Sequence, residues 1–179
     1  MKQHVKYSLV TRNLHLIGGV IFIAAFGVGL YMEDLERGPK LFQMIFIHKS
    51  IGLAGLMLVI ARLLEYTRSN APQALESHTK LEQTLSKLVK IGLYVIMLGF
   101  PITGLMMSWF KGYPAAFFGL FEIAPMVTKD EAIGDVFGAI HHYLVPATFL
   151  LLGLHIAGAL KHHVIDRDAT LKRINPLNS

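Results

Sequence analysis

At 179 residues the chain has room for one domain of ordinary size. It is 53% hydrophobic and only 16% charged, with a mean hydropathy of +0.49, whereas soluble domains carry about 25% charged residues, so too little charge is left to cover a water-facing surface. Cysteine is absent, which excludes disulfides, iron–sulfur ligation and thiol chemistry. The formal charge of +5 falls mainly in loops and tails, where it sets membrane orientation and calls for no nucleic-acid partner.

A membrane span needs about 20 mostly apolar residues. The first such run is Leu14 to Met32, without a formal charge. Lys2 and Lys6 precede it as in a secretory signal, but its apolar core is long for a signal and no A-x-A-like site follows, so it is expected to stay as a span. The second runs from about Leu41 to Leu64 and is interrupted by Lys49 and Arg62. Residues 65–87 read as a polar connection, with Leu81, Leu85 and Leu88 at the spacing of a surface helix. The third span, Ile91 to Phe110, contains Pro101; the fourth, about Ala132 to Leu160, contains Asp135 and Pro146. Prolines inside membrane helices are tolerated when neighbours satisfy the freed carbonyl, so kinks are expected there. Between these two spans, Phe117, Phe118, Leu120 and Phe121 of the 111–131 loop suggest a segment lying on the membrane surface.

Twelve Lys and Arg residues fall on the side of the two tails and the 65–87 connection, and four (Arg37, Lys40, Lys111 and Lys129) on the other. The positive-inside rule then places both termini in the cytoplasm. The expected fold is all-α: an integral-membrane four-helix bundle formed as one domain by residues 1–179.

Four of the nine histidines fall at two matched depths. His15 opens the first span, and His48 lies near the far end of the second. His141 and His155 sit 14 residues apart on the fourth, roughly 21 Å along an α-helix and about 40° short of four whole turns. They therefore share one face, with His155 level with His15 and His141 level with His48. Two imidazoles from facing helices at each of two depths are what two stacked haems require. A single intramembrane histidine is as often a satisfied polar group; four at matched depths are harder to explain that way. Gly18 and Gly19 beside His15, Gly52 beside His48, Gly138 beside His141 and Gly158 beside His155 leave room for a macrocycle, or equally for close helix packing. Arg62 follows His48 by the same interval that separates His141 from His155. It therefore shares the His48 face at the depth of the second pair, and could meet a haem propionate or snorkel to the interface. His142 points about 140° from the ligand face, an interfacial or supporting position. His4 and His78 are expected in water, and His162 and His163 at the inner interface.

The segments His48-Lys49-Ser50-Ile51-Gly52, His141, Gly153-Leu154-His155 and the tail from Ala159 to Leu171 resemble the bacterial cytochrome b561 family over almost the whole chain. Leu16 stands where that family usually has Trp after its first ligand. The resemblance implies a multi-pass protein of the bacterial inner membrane with two haems b per chain, ligated by His15, His48, His141 and His155, that exchanges electrons with ubiquinone. It also implies His162 as a quinone contact and, because a family member is a superoxide oxidase, superoxide or another periplasmic redox partner as donor. Lys49, with Arg37 and Lys40, would draw a small anion to the outer mouth, against Glu33, Asp34 and Glu36 nearby. Two other classes compete: a haem b relay subunit that anchors a dehydrogenase or hydrogenase through the 111–131 loop, and a divalent-metal transporter. The transporter would want carboxylates beside the histidines, and the spans offer only Asp135.

Overall fold

A computed structural model describes residues 6–75 and 77–177; Lys2, and His4 with its expected place in water, lie outside them. Four long helices account for most of the chain: α1 (Leu9–Glu33), α2 (Pro39–Arg68), α3 (Lys80–Phe110) and α4 (Glu131–Leu160). Each is long and apolar enough to cross a bilayer, so the chain is an integral-membrane four-helix bundle, as its composition requires. Large side chains such as Leu16, Val20, Phe42, Val95 and Leu150 stand exposed on the helices, facing lipid where a soluble protein would face water.

Local chemistry sets the helix ends. The Ser8 side chain accepts from the Thr11 amide to cap α1, and Pro39 starts α2 at a position where its missing N–H costs nothing. Thr79 and Glu82 form a reciprocal capping box on α3, and Asp130 caps α4. That box begins α3 at Lys80, so Leu81, Leu85 and Leu88 belong to the first turns of the span and form no separate surface helix. Pro101 and Pro146 lie within unbroken helices.

The helices pair as two hairpins: α1 lies along α2 and α3 along α4, with α2 and α3 joining the pairs. One end of the bundle carries the 34–38 turn and the long loop after α3. That loop is a β-hairpin and not a flat surface segment: β1 (Ala115–Phe117) pairs antiparallel with β2 (Phe121–Ile123). Its turn holds Phe118 and Gly119 at φ 50° and 73°, both positive as a type I′ turn demands, and the Leu120 amide donates to the Phe117 carbonyl. Phe118 and Leu120 remain exposed, while Ala115 and Ala116 are buried against the bundle.

The opposite end gathers both chain ends. After α4 the chain continues through a π-helical turn (Lys161–Ile165) into a short α5 (Thr170–Ile174). The Tyr7 amide donates to the Arg173 carbonyl, Arg12 to the Asn175 carbonyl, and Arg173 to the Gln73 carbonyl. The N-terminal approach, the α2–α3 connection and the C-terminal segment are thereby tied together.

Ser50, fully buried, fastens the β-hairpin to α2. Its hydroxyl accepts from the Phe118 amide at 2.9 Å and lies 2.9 and 3.2 Å from the Phe46 and Ala116 carbonyls. Ser50→Ala leaves those hairpin groups without their partner, at an expected cost of about 1–3 kcal/mol. Faster hydrogen exchange at the Phe118 amide is the expected signature, and unchanged exchange there would show that Ser50 is not what holds the hairpin.

Candidate functional site

Both expected histidine pairs are brought together. His15 on α1 faces His155 on α4 with ring centroids 6.0 Å apart and planes 74° apart. His48 on α2 faces His141 on α4 at 6.1 Å and 82°. An imidazole nitrogen binds a transition metal at about 2.0–2.1 Å, and the ring centre lies behind it by roughly half that length. Two imidazoles on opposite sides of one ion therefore hold their centroids about 6 Å apart. Each pair also bridges the seam between the α1–α2 and α3–α4 hairpins, so an ion between the rings would join the two halves of the bundle.

The surroundings fit a large flat group at the pair nearer the β-hairpin. A cavity of about 490 Å³ reaches His48 and His141 and is lined mainly by apolar residues, among them Ile21, Phe26, Leu56 and Phe100. Side chains built at Gly18, Gly19, Gly52 or Gly158 would meet nothing within 4 Å, in keeping with the room expected beside the histidines. Gly138 behaves differently: a Cβ there would lie 3.2 Å from the Met107 sulfur, so it serves helix packing. Two glycines that sequence reasoning missed do touch the rings. A Cβ at Gly29 would fall 3.1 Å from His48 Cε1, and one at Gly104 would fall 3.2 Å from His141 Cε1.

Hydrogen bonds fix the tautomers of this pair. His48 Nδ1 lies 3.0 Å from the Ala25 carbonyl, which can only accept, so Nδ1 carries the proton and Nε2 is bare. Thr103 Oγ1 donates to the Gly99 carbonyl at 2.6 Å and accepts from His141 Nδ1 at 3.0 Å, giving His141 the same tautomer. Orientation of a ligand imidazole through its second nitrogen is the usual support of a metal site. Thus α3, which has no histidine, still holds one of the rings. At the other pair, buried His15 Nδ1 has no hydrogen-bond partner among the described residues. Leaving such an atom unpaired costs about 1–3 kcal/mol.

Between the two levels lies an aromatic cluster that spacing alone did not reveal. Phe26 meets Phe22, Phe100 and Phe149 at 6.2, 6.0 and 5.2 Å, and Phe100 reaches the His141 ring at 5.0 Å. Arg62 lies at the His15–His155 end, its guanidinium 5.3 Å from the Tyr94 ring centre and its buried Nε without a partner among the described residues. Lys49 lines the large cavity, donates to the Pro114 carbonyl at 3.2 Å and lies over Tyr113. His142 stands at the cavity rim, 70% exposed and 3.6 Å from Glu33, as its helical phase requires. Lys111, also on the rim, pairs with Asp135 at 2.8 Å.

His78 is not in water. Its ring packs 4.3 Å from that of His162, and its Nε2 lies 3.0 Å from Asp168 Oδ2. The C-terminal segment folds back over the α2–α3 connection and covers it, a long-range return that the polarity of residues 65–87 did not disclose. His162 shares the same carboxylate at 2.9 Å. Burial alone would favour the neutral Asp168 acid, but hydrogen bonds from Thr170, His78 and His162 outweigh it and hold the carboxyl well below the usual carboxylate range.

Residues 6–176 match the family model described as prokaryotic cytochrome b561. The chain belongs to the prokaryotic cytochrome b561 family. It is 30% identical over 176 residues to cytochrome b561 homolog 2 of Escherichia coli strain K12, covering 94% of this chain and 90% of that protein. It is 28% identical over 176 residues to CybB of Yersinia pestis, described as a probable superoxide oxidase, covering 97% of each. Cytochrome b561 homolog 1 of E. coli is 28% identical over 129 residues, 72% of this chain and 73% of that protein. As a member of this family, the protein is a multi-pass bacterial membrane cytochrome that binds haem b and transfers electrons.

Proposed function

We propose that the protein holds two haems b, one between His15 and His155 and one between His48 and His141, and carries electrons from superoxide to ubiquinone. In this reading the β-hairpin end faces the periplasm and both termini face the cytoplasm of the bacterial inner membrane. Two imidazole pairs at 6.0 and 6.1 Å, both across the seam of the bundle, carry it. Each haem, when bound, supplies a one-electron couple at its iron. The balance is two superoxide anions, one quinone and two protons giving two dioxygen molecules and one quinol.

The chain's own residues divide the work. Ala25 and Thr103 orient His48 and His141, Gly29 and Gly104 admit their rings, and apolar side chains exclude water from the cavity. Arg62 offers a cation to a propionate at the second level. Lys49 and Lys111 place positive charge on the cavity lining, where a small anion would be attracted; the Asp135 pairing of Lys111 leaves Lys49 as the stronger pull. His162 is the candidate contact for quinone near the termini. The kinship with a probable superoxide oxidase supports this choice of donor.

His48→Ala is expected to remove one haem and leave the other, His15→Ala the reverse, read as one haem per chain by pyridine haemochrome assay against two in the parent. Loss of both haems from a folded single variant would end the two-site reading. Thr103→Val keeps the shape but removes the acceptor for His141. Haem affinity at that site should fall about 10–100-fold, with binding at the His15–His155 site unchanged in a haem titration.

Attraction between exposed charges is screened beyond about 8–10 Å at ordinary salt. Stopped-flow reduction of the cytochrome by superoxide should therefore slow as ionic strength rises, and Lys49→Gln should slow it more than Lys40→Gln. If salt makes no difference and superoxide reacts no faster than an uncharged reductant of similar potential, the donor is a partner protein. The 111–131 loop, with Leu120 of the hairpin and Met126 beyond it exposed, then becomes the docking face of a relay subunit.

A further inference from the structure

His78, His162 and Asp168 come from three different stretches of chain: the α2–α3 connection, the π-helical turn and the loop before α5. Nevertheless one potential ligand atom from each lies within 4.8 Å of the other two. Asp168 Oδ2 is the hub, 3.0 Å from His78 Nε2 and 2.9 Å from His162 Nδ1. The side chains are largely buried, 15%, 13% and 11% exposed for His78, His162 and Asp168. The second oxygen of Asp168 accepts the Thr170 amide at 2.7 Å, which aims Oδ2 at the histidines.

From this geometry we infer that His78, His162 and Asp168 form a binding site for one divalent transition-metal ion, of the class that prefers imidazole with carboxylate, such as Zn²⁺. Four tetrahedral ligands at about 2.0–2.1 Å lie roughly 3.3 Å from one another, so closing the site needs shifts of about 1 Å or less. The imidazole centres of His78 and His162 lie 4.3 Å apart, against 6.0 and 6.1 Å for the facing pairs of the bundle. The shorter separation suits neighbouring ligands on one ion. Hard cations such as Mg²⁺ and Ca²⁺ want mostly oxygen ligands and find too few here. Two neutral imidazoles and one carboxylate offset one of the ion's two charges and leave a fourth position open. Asp166, 3.0 Å from His162 Nδ1, stands next to it but is engaged by Lys161 at 2.6 Å, so water or Asp166 can complete the set.

The site would add a bond between segments otherwise joined by a few hydrogen bonds, clamping the α2–α3 connection onto the C-terminal segment. It also fills a role for the π-helical turn, since an extra residue in a helix is a frequent way to re-aim side chains at a functional position. The site stands apart from both imidazole pairs of the bundle and does not depend on the superoxide reading; it engages Nδ1 of His162, the residue proposed above as a quinone contact.

The test uses the haem-loaded, detergent-purified protein with any affinity tag removed, stripped with EDTA and then titrated with Zn²⁺ alone. One zinc per chain is expected to survive desalting, and the α2–α3 connection should become more resistant to limited proteolysis. His78→Gln and Asp168→Asn should each weaken binding at least about tenfold while the visible haem spectrum stays that of the parent. Zinc retention equal in parent and variants, or no zinc above buffer level in the parent, would overturn the site. Should the variants misfold, X-ray absorption at the zinc edge of the parent decides: scattering from two imidazoles upholds the site, and fewer than two refutes it.

Discussion

The bundle is organised by the requirement that two imidazoles on one helix each meet a partner across a seam. α4 supplies both from a single face, and α1 and α2 supply one each. Because α1 packs along α2 and α3 along α4, neither histidine pair lies within a helical hairpin; both cross between hairpins. Apolar packing gives little drive to hold helices together in lipid, which is itself apolar. A group gripped from both sides at two depths would supply what packing does not, and the rotation of each helix is then dictated by where its histidine must point.

That requirement explains which neighbours are small and which are polar. Gly29 and Gly104 sit where a side chain would press on an imidazole. Ala25 and Thr103 sit where the second ring nitrogen needs an acceptor. A bare hydroxyl is costly at membrane depth, and Thr103 avoids that cost because it donates to its own helix at Gly99 while accepting from His141. One residue of α3 thereby serves the bonding of two helices. The aromatic cluster around Phe26 and Phe100 lies on the wall of the cavity and reaches the His141 ring.

Much of this was legible because helical geometry converts spacing into depth and phase. The spans, the pairing of His15 with His155 and of His48 with His141, and the outward turn of His142 all follow from the fixed rise and rotation of an α-helix at each residue. What could not be read depends on contacts between helices. Gly138 and Gly104 look alike in the sequence, yet one meets Met107 and the other His141, and only the relative rotation of α3 and α4 decides which. Ser50 lies in a motif noticed for its histidine, but its partners are 66 and 68 residues away. His78 was placed in water because its neighbours are polar; its actual partners, His162 and Asp168, lie beyond the last span.

The two ends of the bundle differ in what they present. At the β-hairpin end a broad cavity opens beside His48 and His141, with Lys49, Lys111, Glu33 and His142 on its lining. Lys111 lies 2.8 Å from Asp135 and His142 3.6 Å from Glu33, whereas Lys49 engages a carbonyl and an aromatic face. At the other end the surface is closed by the C-terminal return, and the polar groups spend themselves on one another: His78, His162 and Asp168, then Lys161 with Asp166 and Glu82. Among the described residues the broad cavity lies at the first end. On the function proposed above, the open end would admit the electron donor and the closed end would face the acceptor.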